Sequence, residues 1–455
     1  MGLMNLLFGR QRVKNASALS GFYSGELSEW NDIYNGGGSW RYTRKGGLNG
    51  GGTRKVASLG AARAVCAELA RLCFAESSEL SCADKETEAF LREVFAKNNF
   101  SERFSDFAEK VFALGGGVIK VYYDNGVRLD FTTADRFVPT KWDSGEIYAG
   151  AFGSEVCANG KNYVLAETQE LSGDGLIIEN KLFRENGAEA DLSEVYPKLA
   201  ERTVINGLDK PLFVYFRAGT GSVKQCGALG TSVFAGAEDT LRSLDVVFDS
   251  LSREFILGKK RIIVPSYAVR GDYNENGELK RYFDVNDEVF EALSTSDTDD
   301  LKIADNTGEL RVTEHIEALG ELLDLLCMQV GLSEGTLSFK NGNIRTATEV
   351  VSRNSRTYRT TSFYRRLIAK KLADVAKNVC LLGKMAGELS QSASESVTFR
   401  FADGVCEDDG VKTERARSLY SSGLISRARA ISEIYGVSLD EAKAMEREDF
   451  DGNRK

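Results

Sequence analysis

A polar stretch at residues 331–345 runs straight into a helix-forming segment whose charge is nearly all of one sign. Gly331, Ser333, Gly335, Asn341, Gly342 and Asn343 are turn formers whose backbones tolerate unusual conformations, and Lys340 and Arg345 place cationic tips among them. From Thr346 to Asn378 there is neither Gly nor Pro, so an uninterrupted helix of that span reaches roughly 50 Å. Within it Arg353, Arg356, Arg359, Arg365, Arg366, Lys370, Lys371 and Lys377 face only Glu349 and Asp374 as acids. A charge run on its own is more often a solvated helix face. Joined to a cationic Gly/Asn loop, it suits contact with a polyanion by a part that moves.

Covalent chemistry finds no comparable set of residues. The one histidine, His315, stands in a helical pattern beside Glu314 and Glu317 and reads as structural or merely exposed. Gly50-Gly51-Gly52-Thr53-Arg54-Lys55 lacks the Gly-Lys-Ser/Thr ending that cradles phosphate and metal, which argues against ATP hydrolysis. Gly115, Gly116 and Gly117 precede a strand rather than a helix, so they read as a turn and not as a dinucleotide fingerprint. Carboxylates crowd residues 272–305, but without metal-ligand spacing, and read as solvated. The eight cysteines contain no C-x-x-C pair and read as reduced thiols. No metal, no cofactor and no catalytic residue is expected.

Composition sets the frame. A chain of 455 residues with 42% apolar content can bury substantial cores in two to four domains. No run of eighteen apolar residues offers a membrane span, and the apolar stretch in MGLMNLLFGRQRVKN is too short for a secretory signal, so no membrane association is expected. A net charge of −9 argues against a protein that coats nucleic acid, since such affinity comes from many phosphate contacts. It is compatible with a conduit, where strong attraction would stop a polyanion from sliding, and is equally ordinary for a protein that never meets DNA, so charge alone decides nothing.

The elements that must position the loop can be read along the chain. Residues 1–53 form a Gly-rich arm with Phe22, Tyr23, Trp30, Tyr34, Trp40 and Tyr42, which dock on a neighbouring chain or cap their own core. Helices are expected at Lys55–Phe74, Lys85–Lys97 and Phe100–Leu114, followed by short strands with period two from Gly115 to Gly219. Leu241, Leu244, Phe248, Leu251 and Phe255 stripe a helix over Ser232–Leu257. Ile316, Leu319, Leu323, Leu326 and Val330 stripe a second over Thr313–Val330. Between them KRIIVP, KRYFDV and LKIAD are short strands in acidic, turn-rich sequence. A polar linker at Gly383–Ser396 leads to the strand VTFRFADG, and short helices follow at Lys412–Ser421, Ile425–Tyr435 and Leu439–Glu446, the last capped by Ser438.

The order GLS-x-G-T-x-S-F, a short Gly/Asn loop, then T-A-T-E-V-V-S-x-N-S-x-T-Y-R-T resembles the portal proteins of tailed bacteriophages, in particular those of phages that infect Gram-positive bacteria. The similarity runs from about Trp30 to Ala444. It implies an α+β fold class and a multi-domain ring subunit with wing, stem, clip and crown. The implied parts are an N-terminal arm (1–53), an α+β wing body (54–230), stem helices at 231–257 and 312–331, a clip at 258–311 between them, a tunnel loop (332–345), a long wing helix (346–382), a linker and wing strand (383–404), and a helical crown and tail (405–455). Lys340, Asn341, Gly342, Asn343 and Arg345 would line the DNA channel. Leu241, Leu244, Phe248, Leu251, Ile316, Leu319, Leu323 and Leu326 would bury against neighbouring subunits, and Arg353, Arg356, Arg359, Arg365 and Arg366 would give the wing helix its basic face.

The function so implied is a homo-oligomeric, twelve-fold ring at one capsid vertex through which double-stranded DNA is packaged and ejected. Its implied partners are the terminase large subunit, the major capsid and scaffolding proteins and a head–tail adaptor, with assembly in the host cytoplasm and residence in the virion. Two other classes stay open from the residues alone: a different head or tail ring with no packaging role, and a nucleic-acid-processing enzyme that grips substrate with the basic helix. The second lacks a catalytic set, and the order helix, insertion, helix, loop, long helix separates the first.

Overall fold

The computed structural model describes residues 25–44, 53–74, 78–82, 84–143, 145–173, 175–219, 221–222, 226–257, 262–263, 271–273, 279–281, 304–305, 309–338, 347–391, 396–401, 409–435, 437, 441–443 and 445–446. Residues 339–346, most of the 258–308 insertion, and the cap expected at Ser438 lie outside the described residues.

Helix α1 (Glu26–Tyr34) turns Leu27, Trp30 and Ile33 into the chain's own core, so this part of the arm caps its own subunit. Tyr34 adds a hydrogen bond from its hydroxyl to Glu109 Oε1 at 2.5 Å. After the two-strand ribbon β1 (Tyr42–Arg44) and β2 (Thr53–Lys55) come α2 (Ala61–Phe74), β3 (Ser78–Cys82), α3 (Lys85–Lys97) and α4 (Phe100–Leu114). Asp84 caps α3, accepting from the amides of Glu86 and Thr87, and so satisfies donors that the first helical turn leaves unpaired. The glycine run resolves into a helix terminator and a strand start. Gly115 ends α4 in the left-handed region, while Gly116 and Gly117 open β4 (Gly116–Tyr123).

Strand β4 is the centre of a three-stranded antiparallel sheet with β5 (Val127–Thr133) on one side and β12 (Phe213–Arg217) on the other. Its Phe131 and Phe216 rings meet Phe107 of α4 edge-on at 5.5 and 5.6 Å. Phe74 at the end of α2 lies 5.1 Å from Phe104. Such pairs contribute about 0.5–1.5 kcal/mol each beyond their burial, and here they tie two helices to one sheet. A second, six-stranded sheet is built on β6 (Phe137–Asp143), β7 (Glu146–Ala158), β8 (Lys161–Ser172), β9 (Gly175–Arg184) and β10 (Glu189–Ala190), with β11 (Arg202–Ile205) also on β9. Asn159 and Gly160, both at positive φ, make the two-residue turn between β7 and β8 that suits the twist of a tight hairpin.

After the β13 (Gly221–Ser222) and β14 (Cys226–Gly230) pair comes α5 (Glu238–Leu257). The insertion contributes two described pairings, β15 (Ile262–Ile263) with β18 (Ala304–Asp305) and β16 (Gly271–Tyr273) with β17 (Leu279–Arg281). Helix α6 (Val312–Val330) then returns to the body. Helix α7 (Ala347–Ala386) is 40 residues long, about 60 Å of continuous helix. It buries Tyr364, Ile368, Leu372, Val375, Ala376 and Val379 against the body. It outlasts the expected end at 382 because Gly383 sits against the Phe90 ring, leaving no space for a side chain but no reason to stop the helix. Strand β19 (Val397–Phe401) pairs with β3, and α8 (Asp409–Ser421) and α9 (Arg427–Tyr435) follow.

Two expected helices are shorter at their starts, each because tertiary partners take the polar groups or side chains of the first residues. The helix expected over Lys55–Phe74 begins only at Ala61: Lys55 ends β2 and residues 56–60 are irregular, because α5 takes polar groups of this segment. Asp245 accepts from Ser58 Oγ at 2.8 Å, the Leu59 amide at 2.9 Å and Trp40 Nε1 at 2.9 Å. Asp249 accepts two hydrogen bonds from Arg54, at 2.8 and 2.7 Å, and one from the Ala57 amide at 2.9 Å. Both carboxylates are buried, so they need these donors. Residues 232–237 are turns that lead into α5, where Phe234 is buried and the Val233 amide donates to Phe112 O.

Arg54 holds the Asp249 carboxyl below its usual range, with burial opposing. A lowered folded value means that this stability is present above the unfolded value of about 3.9 and is lost as pH falls through the folded one. Acidification below about pH 4 should therefore release residues 54–59 from α5, read as a change in fluorescence of Trp40, which bonds the neighbouring Asp245. Asp249→Ala should lose about 1–3 kcal/mol at neutral pH and open Arg54 to trypsin, and equal cleavage of parent and variant would show that the clamp holds nothing.

Candidate functional site

The two apolar stripes meet inside one subunit. Leu241 (4% exposed), Leu244 (0%), Leu319 (3%), Leu323 (4%) and Leu326 (0%) belong to the chain's own core, where α5 and α6 pack on each other and on the body. These five side chains have no surface left for a neighbouring subunit, which corrects their reading as interface residues. The periodicity was right about an apolar face, but a helical hairpin closes its two stripes on each other. Phe248 and Leu251 are half-buried against the same core, and only Ile316 of the set is exposed. The exposed apolar residues of the two helices are others, among them Phe255 and Ile256 on α5 and Leu325 and Met328 on α6. At the insertion end, Arg311 Nε and Nη2 each lie 3.3 Å from the Glu254 carboxylate, closing the hairpin where α5 ends and α6 begins. Arg311 keeps that carboxyl below the usual range.

At the other end of α6, the GLS turn is bolted to the long helix. Gly331 has a φ of +81°, and a Cβ there would lie 2.8 Å from Thr360 Oγ1, so glycine is required twice over. The Leu332 amide donates back to Cys327 O at 2.8 Å, satisfying a carbonyl of the last helical turn. Thr360 Oγ1 donates to Gly331 O at 2.7 Å. Ser333 and Thr357 exchange bonds: the Ser333 amide donates to Thr357 Oγ1 at 2.8 Å, and the Thr357 amide lies 3.1 Å from Ser333 Oγ. The Gly335 amide completes the turn on Asp324 Oδ1 at 2.7 Å. Thus the residues that made the motif recognisable, Gly331, Ser333, Thr357 and Thr360, form the fixed base of the loop. Lys340, Asn341, Gly342, Asn343 and Arg345 lie outside the described residues.

The basic helix divides by exposure. Arg356, Arg359 and Arg366 are exposed, and the side chain of Arg353 lies outside the described residues. Arg365 is buried: its Nη2 donates to Leu72 O at 2.6 Å and its Nε to Cys73 O at 3.2 Å. It caps the carbonyl end of α2, where a cation is favoured by both the free acceptors and the helix dipole. Arg365 therefore leaves the set of surface cations, and spacing alone had no way to single it out. The exposed side of the same helix also carries Phe363 and Leu367, one turn apart, with Arg359, Arg366 and Lys370 exposed around them. An apolar patch ringed by cations is a surface that excludes water on contact.

The buried thiols of the core are chemically quiet. Burial pushes the Cys73 thiol up to about 12 and holds Cys66 well above its ordinary value, so neither is a nucleophile at neutral pH. Among the described residues no group of three or more His, Cys, Asp or Glu could hold a metal ion, and no helix is long and apolar enough to cross a membrane.

Residues 214–455, more than half of the chain, match the family described as phage portal protein, SPP1 Gp6-like. The chain belongs to this portal protein family, whose role is structural rather than enzymatic. No curated protein matches it. Among solved structures it is similar to a chain in the virion of a native gene transfer agent particle, with 14% identity, 83% of this chain and 89% of that chain covered, and a TM-score of 0.41. A chain in the neck of an empty gene transfer agent particle computed with C6 symmetry gives 12% identity, coverage of 83% and 89%, and a TM-score of 0.44.

Replacing Arg365 by Met should cost about 2–4 kcal/mol in denaturant unfolding, since two charge-assisted hydrogen bonds go and two carbonyls are left unpaired. Arg356→Ala and Arg359→Ala should stay within about 0.5 kcal/mol of the parent. Equal losses for all three would remove the distinction between a capping arginine and surface ones.

Proposed function

We infer that this chain is the subunit of the portal ring at one vertex of a phage capsid, through which double-stranded DNA is packaged and later ejected. The observation that carries this reading is the fixed base of the loop. Gly331 and Ser333, before residues 339–346, are hydrogen-bonded to Thr360 and Thr357, after them, so the described parts of α6 and α7 that flank this cationic stretch are tied together. In this reading Lys340 and Arg345 form rings of positive charge against passing phosphates, a contact that is blind to sequence and weakened by salt.

The assignment of parts follows the same logic. Helices α5 and α6 are the stem, residues 258–311 the clip that docks the terminase large subunit and later the head–tail adaptor, α7 the wing helix, and residues 405–455 the crown. The ring is twelve-fold, sits in the virion against major capsid and scaffolding proteins, is assembled in the host cytoplasm, and comes from a phage of a Gram-positive host. Since the α5 and α6 stripes are occupied inside the subunit, ring contacts must use exposed side chains, and the Phe363–Leu367 patch of α7 is the best placed of these.

Phe363→Glu combined with Leu367→Glu should leave a folded monomer that no longer sediments as a ring, whereas Leu244→Asp should unfold the subunit, because it buries an unpaired charge in the core. A double variant that still forms rings would place the subunit contact elsewhere.

Lys340→Ala with Arg345→Ala should assemble normally yet lower the DNA content of filled heads. Fewer phosphate contacts also mean a shallower dependence of packaging on salt. Parental packaging at every salt concentration would show that the loop does not touch DNA.

A further inference from the structure

Two outward helix faces match in length and oppose in charge. On α7, on the side away from Tyr364, Ile368 and Leu372, the side chains of Arg356, Arg359, Phe363, Arg366, Leu367 and Lys370 are all exposed and follow one another at helical spacing. On α6, on the side away from Leu319, Leu323 and Leu326, the exposed stripe is Glu314, Glu317, Glu321, Leu325 and Met328. Residues 356–370 and residues 314–328 each cover about 21 Å of helix. One stripe sets cations around an apolar pair, and the other sets acids beside one. Arg359 Nε and Arg366 Nε donate to carbonyls of their own helix, Ser355 O at 3.2 Å and Ser362 O at 3.3 Å, and among the described residues neither meets a carboxylate.

This make-up narrows what can cover Phe363 and Leu367. The α7 face of a second copy is ruled out, because it would press cation against cation as water leaves the contact. An acidic face with apolar side chains of its own removes both difficulties, and every copy carries one on α6. Met328 adds an unbranched, adaptable side chain that can follow the shape of an aromatic ring. Two different patches that fit each other make a head-to-tail contact, which repeats from copy to copy until the rotation closes it into a ring.

We propose that the cationic face of α7 on one copy packs on the acidic face of α6 on the next, with Leu325 and Met328 against Phe363 and Leu367 at the centre and the charged pairs at the rim. This contact rests on the ring reading above and adds to it the surface of the neighbour that α7 meets. A charged rim of this kind selects the partner and speeds the encounter more than it tightens the complex.

Charge reversal on each face is the test. The first variant combines Arg356→Glu, Arg359→Glu and Arg366→Glu, so that both faces are acidic; the second combines Glu314→Lys, Glu317→Lys and Glu321→Lys, so that both are basic. All these sites are exposed, and circular dichroism checks that each variant folds. In sedimentation velocity each variant alone should lose the ring at concentrations where the parent assembles. An equimolar mixture should regain it, since every junction of an alternating ring again joins opposite charges. Should a charge-reversed variant misfold, Leu325→Lys with Met328→Lys sets like charge against α7 from the centre of the contact and should also give monomers. Rings formed by each variant alone overturn the pairing and leave the ring reading standing, as does a mixture of folded variants that stays monomeric. Variants that assemble normally but fill heads with less DNA overturn it too, and turn the α7 arginines toward the channel. A parent that is monomeric at every concentration overturns the ring reading itself, and this contact with it.

Discussion

Everything near the loop depends on one buried face of one helix. From Tyr364 to Leu382, α7 lays Tyr364, Ile368, Leu372, Val375, Ala376, Val379 and Leu382 into the core of the body. A helix of this length is not rigidly placed by its own hydrogen bonds alone, because most helical stability in a protein comes from packing an apolar face. With that face buried, the preceding turns of α7 are held in place as well, and Thr357 and Thr360 there bond the turn that follows α6. The GLS turn, the end of α2 and strand β12 all take their positions from it, through Thr357 and Thr360, through Arg365, and through Asn378 Nδ2, which donates to Pro211 O at 3.1 Å.

Charge is used inside this protein as much as on its surface. Asp245 and Asp249 on α5 hold the segment after the first ribbon by accepting from backbone amides, an arginine, a serine and a tryptophan. Lys120 is buried against Glu167, and Arg365 closes α2. Each is a buried ionic group whose desolvation is offset by hydrogen bonds or an ion pair to fixed partners, and removing those partners leaves a buried charge uncompensated. A count of basic and acidic residues along the chain mixes these structural ions with the exposed ones that can face DNA or a neighbour.

The outward face of the helices is less apolar than the stripes suggested. A hairpin of two amphipathic helices presents to its surroundings the sides that periodicity marks as polar, here interrupted by Phe255, Ile256, Leu325 and Met328. Subunit association built on such a face is more polar than a domain core, which is usual for assemblies whose subunits fold before they meet.

The sequence alone determined the elements, because their signals are local. Period two and period 3.6 patterns and the absence of Gly and Pro from Thr346 to Asn378 each act over a few residues at a time. It also carried the family, through GLS-x-G-T and T-Y-R-T, before any reason for those residues was visible. Tertiary structure decided what the same residues do. Whether Leu244 faces a neighbour or its own core, whether Arg365 meets solvent or the carbonyls of Leu72 and Cys73, and whether residues 56–60 form helix or stay irregular all turn on partners remote in sequence. Periodicity says that a face is buried; only the packed chain says against what.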